Sequence, residues 1–592
     1  MPPSYSSHGA KPIKSVLRAR LWYTIVMIIF GVVLVRAFYL QVIRHDFYKQ
    51  AANMGHLKEY EIQANRGIIK AHDGNSVVPI VLDQKLYTIY ADPTLIKDHS
   101  KVAETLSAEL KGSISGYEEK LRSKDTRYVI IARKVEKAQK EAILKKKYPG
   151  VGAQEQQYRI YPNGSLGAQL LGFVNNDGKG VYGVEQALNK QLAGTNGQLK
   201  AVTDVHGVPL AANTDNIQQQ PVPGQDVVLT LDVAMQKQLE DILKAGVEKA
   251  KGESGSALIM DRTGAVKAMA NYPTYDPANY GDVNDSAVFT NAAASSPLEV
   301  GSVMKPLTAA AALNEGAVNM STTYYDPSKY EIDDFMITNI EEDGGPGNKN
   351  LADLLNLSLN TGATWLLMRM SGNGDHITKE GRDTWYNYMA NHYMFGKETG
   401  IEQGYESGGS IPDPDKGYAR NLTYANTAFG QAMTATPLQM AAAYTAVLNG
   451  GTYYQPRLVD SYIDANGKTT TVKPKVVKTG VVSPQVSQDI QQLMEYVVDN
   501  HSFSRKFDQA TYSVGGKTGT AQIAQPGGGY YEDEFNGTYL GFVGGDEPQY
   551  VISVSVIKPK VRGYAGTQAA QPIFGDLAHM LLDKFNVTPK TK

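Results

Sequence analysis

The sequence predicts an α+β protein tethered by one N-terminal transmembrane helix, and three patterns carry that expectation. A 23-residue apolar run occupies Leu21 to Ile43 with Arg36 as its one charge. From Asp46 to about Gln219, short β-rich runs such as Leu86 to Tyr90 and Tyr128 to Ile131 alternate with charged helical stretches such as Val135 to Lys147. From Val227 onward a strand to Leu231, an amphipathic helix over Val233 to Lys251 and a hairpin of Ala257 to Met260 with Val266 to Ala270 open a region that runs almost to the C-terminus.

The first pattern fixes the relation to the membrane. At about 1.5 Å rise per residue the run spans roughly 35 Å, enough to cross a bilayer. No small-x-small pair follows Val35, so an uncleaved signal anchor is expected rather than a removed leader. Arg36 stands in the outer third, where its stem can carry the guanidinium to the headgroups. Lys11, Lys14, Arg18 and Arg20 precede the run with no acidic residue, whereas Asp46 joins Arg44 and Lys49 beyond it. The positive-inside rule then puts the N-terminus in the cytoplasm and roughly 550 residues outside the cell membrane. Chemistry there must run without nucleotide, on energy stored in the substrate.

Composition removes whole classes. At about 150 residues per domain, 592 residues hold roughly two to four domains. The 58 basic and 60 acidic residues nearly cancel, so no nucleic-acid partner is expected. The absence of cysteine excludes disulfide scaffolds, thiol nucleophiles and cysteine metal sites. Ten histidines form no H-E-x-x-H and no pair with metal spacing, so neither metal nor cofactor is expected. Between the second and third patterns, Gln218 to Gly224 reads as a linker, since its Pro, Gly and Gln residues seed no core.

Three stretches could carry chemistry. Ser302-Val303-Met304-Lys305 begins a helix whose apolar body is Leu307 to Leu313. The i, i+3 spacing puts a hydroxyl and an amine on one face, and both the helix dipole and partial burial favour the neutral amine that could take the hydroxyl proton. Alone, such a pair more often marks a solvated helix face. Ser358-Leu359-Asn360 follows a helical stretch at Leu351 to Leu357 and supplies a hydroxyl and an amide; its plain reading is a helix turn. Lys517-Thr518-Gly519-Thr520, next to Gly515 and Gly516, would suit an edge strand that pairs with an extended peptide and binds a carboxylate. A phosphate loop is the competing reading of Gly516-Lys517-Thr518, but position 511 is Thr rather than Gly and no helix follows.

Taken together, SVMK, SLN and KTGT resemble the S-x-x-K, S-x-N and K-T-G set of penicillin-binding proteins and serine β-lactamases, in the same order and 56 and 159 residues apart. Arg66-Gly67-Ile68-Ile69, Gly183-Val184-Glu185 and Thr436-Pro437-Leu438-Gln439-Met440 look like class B penicillin-binding proteins, so the resemblance covers about residues 16 to 580. With no glycosyltransferase region before them, the bifunctional class A form is not expected. The phrase EVGSVMKPLT and the modest middle region look more like the septal, cell-division type than the elongation type.

The resemblance implies an antiparallel sheet flanked by helices for the transpeptidase domain, preceded by an elongated mixed α/β pedestal. The expected organisation is a cytoplasmic tail (1–20), the signal anchor (21–43), a non-catalytic pedestal or dimerisation-like domain (44–220), a transpeptidase domain (221–585) and a tail (586–592). It further implies peptidoglycan D,D-transpeptidation. Ser302 would attack the D-alanyl-D-alanine bond of a stem peptide, Lys305 would take its proton, and Ser358 would pass a proton to the leaving D-alanine. Asn360 would orient the peptide, and Lys517, Thr518, Gly519 and Thr520 would bind the substrate end. The backbone N–H groups of Ser302 and Thr520 would form the oxyanion hole. Implied partners are stem peptides on a lipid-linked precursor, β-lactam antibiotics, a polytopic glycan polymerase docking on the anchor and the Arg66 region, and division proteins. Three rivals stand beside this: an elongation-type enzyme, a β-lactam hydrolase, and a catalytically silent scaffold or sensor of the same fold.

Overall fold

The computed structural model describes residues 13–48, 57–123, 126–202, 217–339, 345–372, 374–525 and 527–591. Lys11 and Lys49 of the charge pattern, and parts of the expected 1–20 and 44–220 segments, lie outside the described residues. The chain forms two compact units. The smaller comprises residues 1–64 and 195–222. Its helix Ile13–Phe38 continues into a wider turn at Tyr39–Ile43. Leu17–Ile43 is long and apolar enough to cross a membrane and none of it is buried in protein, as the expected span of 21–43 requires. The unit also holds a three-stranded antiparallel sheet in which Gly197–Val202 lies between Leu57–Ile62 and Ile217–Gln219.

That sheet corrects one expectation. Gln218 to Gly224 is no free linker: Gln218 and Gln219 sit in the edge strand, and Thr195 and Val222 exchange two backbone hydrogen bonds of 2.9 Å. An edge ladder uses main-chain groups, so side chains that seed no core do not prevent it.

The larger unit, residues 65–194 and 223–592, contains two large sheets and, among the described residues, four two-stranded ones. The first is mixed. Strands β1 (Ile69–Asp73), β2 (Ser76–Ala91), β3 (Val129–Val135) and β4 (Val151–Ile160) come from the middle region, and β5 (Asp226–Asp232) pairs in parallel with β1. The far half of β2 packs with β3 and β4 over its own core of Ile89, Val102, Leu106, Ile131 and Ile143. Within the middle region, Glu185 is fully buried between Arg66 (2.8 Å) and Arg159 (2.7 Å), and Arg159 also pairs with Asp83 at 2.8 Å. The Arg66 and Gly183-Val184-Glu185 signatures therefore meet at a buried ionic joint. Burial pushes the Asp83 carboxyl up, the Arg159 guanidinium opposing it.

The second sheet positions the site. Helix α1 (Val233–Ala250) starts at Asp232, whose carboxylate accepts from the Met235 N–H at 2.9 Å, and buries Met235, Leu239, Leu243 and Val247 along one face. Strands β6 (Ser254–Asp261) and β7 (Val266–Tyr272) form the expected hairpin. Further on come α2 (Lys305–Asn314), α3 (Leu351–Asn356), α4 (Asn360–Met370), α5 (Pro437–Leu448) and α6 (Pro484–Asn500), then β8 (Ser513–Ala524), β9 (Tyr530–Gly544), β10 (Pro548–Ile557) and α7 (Gln571–Lys584). The five strands are antiparallel throughout in the order β7-β6-β10-β9-β8. Ala257 and Ile259 pack with α1 and α7 on one face, whereas Leu258 and Met260 join the core around α2 and α5 on the other. Period-2 alternation thus serves two apolar faces, and the sheet is sandwiched by helices as expected. Strand β8, carrying Lys517, is left at the edge.

Candidate active site

The site begins at a strained turn. Gly301 has φ +67° and its N–H donates to the Gly430 carbonyl at 2.9 Å. A Cβ on Gly301 would lie 2.8 Å from the Thr520 carbonyl oxygen, so only glycine lets strand β8 approach this close. Residues Gly301–Met304 form a 3₁₀ turn and α2 begins only at Lys305, which corrects the expectation of a continuous helix from Ser302. A 3₁₀ turn also puts residues i and i+3 on one side, since they eclipse there. Hydroxyls pin the turn from behind: Thr538 donates to the Val300 carbonyl at 2.8 Å and Tyr444 to that of Val303 at 2.5 Å.

Lys305 is fully buried. Its Nζ donates to the carbonyl of Ser358, to Ser358 Oγ at 3.2 Å and to Asn360 Oδ1 at 2.9 Å. Ser358 takes a left-handed φ of +57° between α3 and α4, a geometry that turns both its oxygens toward the amine. The turn is braced one residue past Asn360, where the Thr361 hydroxyl donates to the buried Asp326 carboxylate at 2.8 Å and the Thr361 N–H donates to Asn339 Oδ1 at 3.1 Å. Asn360 Nδ2 donates to the Thr338 carbonyl at 3.2 Å.

On β8, Lys517 is 1% exposed, and its Nζ donates to the Thr518 carbonyl at 3.1 Å and Oγ1 at 3.3 Å. Thr520 Oγ1 accepts from the Gly566 N–H at 3.0 Å. Gly519 is required by packing, since a Cβ there would meet the Val300 carbonyl at 2.7 Å. Ser302, Ser358, Asn360, Lys517, Thr518 and Thr520 line one cleft of about 640 Å3. Lys305 lies behind its floor and Gly519 behind its side, so these two support the cleft without lining it. A hydroxyl on a tight turn, a buried amine linked to a second hydroxyl, and an edge strand with a lysine are the parts of acyl transfer to serine.

Sequence reasoning missed several lining groups. Asn356, His501 and Gln571 face the cleft from the ends of α3, α6 and α7, and Gln431 from the loop at Gly430. Burial, reinforced by the Lys517 ammonium, pushes the His501 imidazole down to about 4, so the ring is neutral. Glu299, read only as the first residue of EVGSVMKPLT, accepts from the Ala432 N–H at 2.9 Å and the Tyr530 hydroxyl at 3.0 Å, tying the Ser302 turn to the loop at Ala432 and the start of β9. Burial pushes its carboxyl up. No local pattern marks any of these, because each partner lies far away in the chain. Among the described residues no cluster of His, Asp and Glu could hold a metal ion.

The family described as penicillin binding protein transpeptidase domain matches residues 255–579, more than half of the chain, and the penicillin-binding protein dimerisation domain matches residues 61–229. The chain belongs to the class B penicillin-binding proteins. Among relatives of this penicillin-binding protein, stage V sporulation protein D of Bacillus subtilis is 30% identical over 97% of this chain and 87% of its own length. The peptidoglycan D,D-transpeptidase FtsI of Escherichia coli K12 is 26% identical over 94% and 89%. Penicillin binding protein 3 of Mycobacterium tuberculosis, solved in complex with aztreonam, superposes with a TM-score of 0.66 at 25% identity, covering 89% of this chain and 98% of that one. The matched transpeptidase segment contains the whole cleft, from Ser302 to Gln571.

Proposed function

We propose that this penicillin-binding protein cross-links peptidoglycan by D,D-transpeptidation through an acyl-enzyme on Ser302, in the septal role that a relative named FtsI favours. The observation that carries the reading is the convergence of three distant stretches on one cleft, with the buried Lys305 amine bonded to Ser358 and Asn360. Lys305 takes the Ser302 proton as its oxygen attacks the carbonyl between the last two D-alanines. The developing oxyanion is met by the N–H groups of Ser302 and Thr520, each worth about 3 kcal/mol. Ser358 hands a proton to the departing D-alanine nitrogen, and the C–N bond breaks. Asn360 orients the donor stem, while Lys517, Thr518 and Thr520 hold the terminal carboxylate. The amine of a second stem then displaces Ser302 from the ester and completes the cross-link.

The energy of the old peptide bond drives the new one, which suits a catalytic region outside the cell with the basic N-terminus inside. Residues 44–220 serve as the pedestal and 221–585 as the transpeptidase domain, with 1–20 and 586–592 as tails; a membrane glycan polymerase and division proteins are the expected protein partners. The aztreonam complex of the Mycobacterium tuberculosis protein supports β-lactams as inhibitors of this cleft. Full-length protein in detergent, given a lipid-linked pentapeptide precursor already polymerised into glycan, should release D-alanine and form cross-linked dimers. Ser302→Ala should do neither. Release of D-alanine by the wild type with no dimer would make it a hydrolase instead.

A further inference from the structure

One wall of the cleft is not explained by the three motifs. Helix α6 ends at Asn500, and the His501 N–H closes its last turn on the Val498 carbonyl at 3.2 Å. The imidazole is held by the main-chain carbonyl of Asn356, yet its Nδ1 is buried without a hydrogen-bond partner. Next to it, the Ser502 carbonyl accepts from Gln571 Nε2 at 2.8 Å, which fixes the segment to the first turn of α7. Gln571 is 3% exposed, and its Oε1 and Asn356 Oδ1 are likewise buried oxygens without a partner. Three unmatched acceptors thus stand on the wall that adjoins Lys517. Buried acceptors are ordinarily matched, so this wall is built for a donor.

The donor of opposite character at hand is the Lys517 ammonium, close enough to act on the ring's protonation. In the structure it rests on the Thr518 carbonyl and hydroxyl at 3.1 and 3.3 Å, and such bonds tighten or shift when a substrate is engaged. We propose that His501 is a positioning residue for Lys517, its unprotonated Nδ1 accepting from the ammonium as that ammonium turns onto the terminal carboxylate of the substrate. The inference rests on the carboxylate-binding role proposed for Lys517. With its proton committed to the Asn356 carbonyl, the ring offers a lone pair and adds no second cation to compete for the carboxylate. A ring that releases its proton near pH 4 is too weakly basic to take one from the acceptor amine, so it is not the base of the second step.

The test separates binding from chemistry. Full-length protein in detergent is titrated with benzylpenicillin, and the saturation constant and the limiting acylation rate are measured; benzylpenicillin methyl ester, which lacks the carboxylate, is the control. His501→Phe keeps the packed ring and removes the acceptor. It should weaken the saturation constant about tenfold while changing the limiting rate less than about twofold, and leave reaction with the ester unaltered. His501→Gln, which restores an acceptor, should recover to within about threefold of wild type. His501→Ala gives the same reading as Phe should the larger ring not fold. Wild-type behaviour in Phe and Ala, equal losses with acid and ester, or no recovery in Gln would each overturn the proposal while leaving the transpeptidase reading intact. Absence of any Ser302 adduct in the wild-type chain would overturn both.

Discussion

Ser302, Ser358 and Lys517 could be picked out of the sequence because each sits in a short, ordered string whose residue types state their chemistry. His501 could not. It is an isolated histidine after a helix, and what makes it unusual is the company of Asn356, 145 residues earlier, and of Lys517 in the next strand. Its environment has a thermodynamic consequence. The folded ring protonates near 4, against an ordinary 6.5, so between those values the unfolded chain binds a proton that the native chain refuses. Stability present above pH 6.5 is therefore lost as pH falls toward 4, by at most about 3 kcal/mol. His501→Gln has no proton to bind at that site. Its melting temperature should fall less than that of wild type between about pH 7 and about pH 4.5. Parallel curves would mean that the ring titrates normally.

At the scale of elements, the strand, helix and hairpin after Val227 were legible because their periodicity and turn residues are local. Two readings failed where backbone geometry is set by distant contacts. The turn at Ser302 is 3₁₀ because Gly301 must lie flat between Gly430 and Thr520, and nothing near position 302 reports that squeeze. The segment after Ile217 is strand because the main chain of Gly197–Val202 offers it a ladder. Gly301 also supplies the sharpest test of how elements place Ser302. In Gly301→Ala the new Cβ would sit 2.8 Å from the Thr520 carbonyl oxygen at φ +67°, a combination costing of order 1–3 kcal/mol. Since the same movement would part Ser302 from the N–H of Thr520, penicillin acylation should drop by about 100-fold while the fold persists at a lower melting temperature. An acylation rate equal to that of wild type would show that strand β8 need not touch this turn.

At the scale of the molecule, one buried ionic joint ties distant stretches of the middle region together. Glu185 is fully buried between two arginines, and an ion pair in that position specifies geometry more than it adds stability. The sequence showed the Arg66 and Glu185 signatures but not that they meet, since 119 residues separate them. Beyond the joint, the larger unit devotes both faces of the five-stranded sheet to helices and places β8, which lines the cleft, at one edge, where an extended peptide could pair. In the proposed reaction the whole arrangement serves one nucleophile, Ser302. Its most direct test is peptide mass spectrometry of the full-length protein after incubation with benzylpenicillin. The account predicts a single covalent adduct, on the peptide that carries Ser302, and none in Ser302→Ala. An unmodified Ser302 peptide, or an adduct retained in the alanine variant, would contradict it.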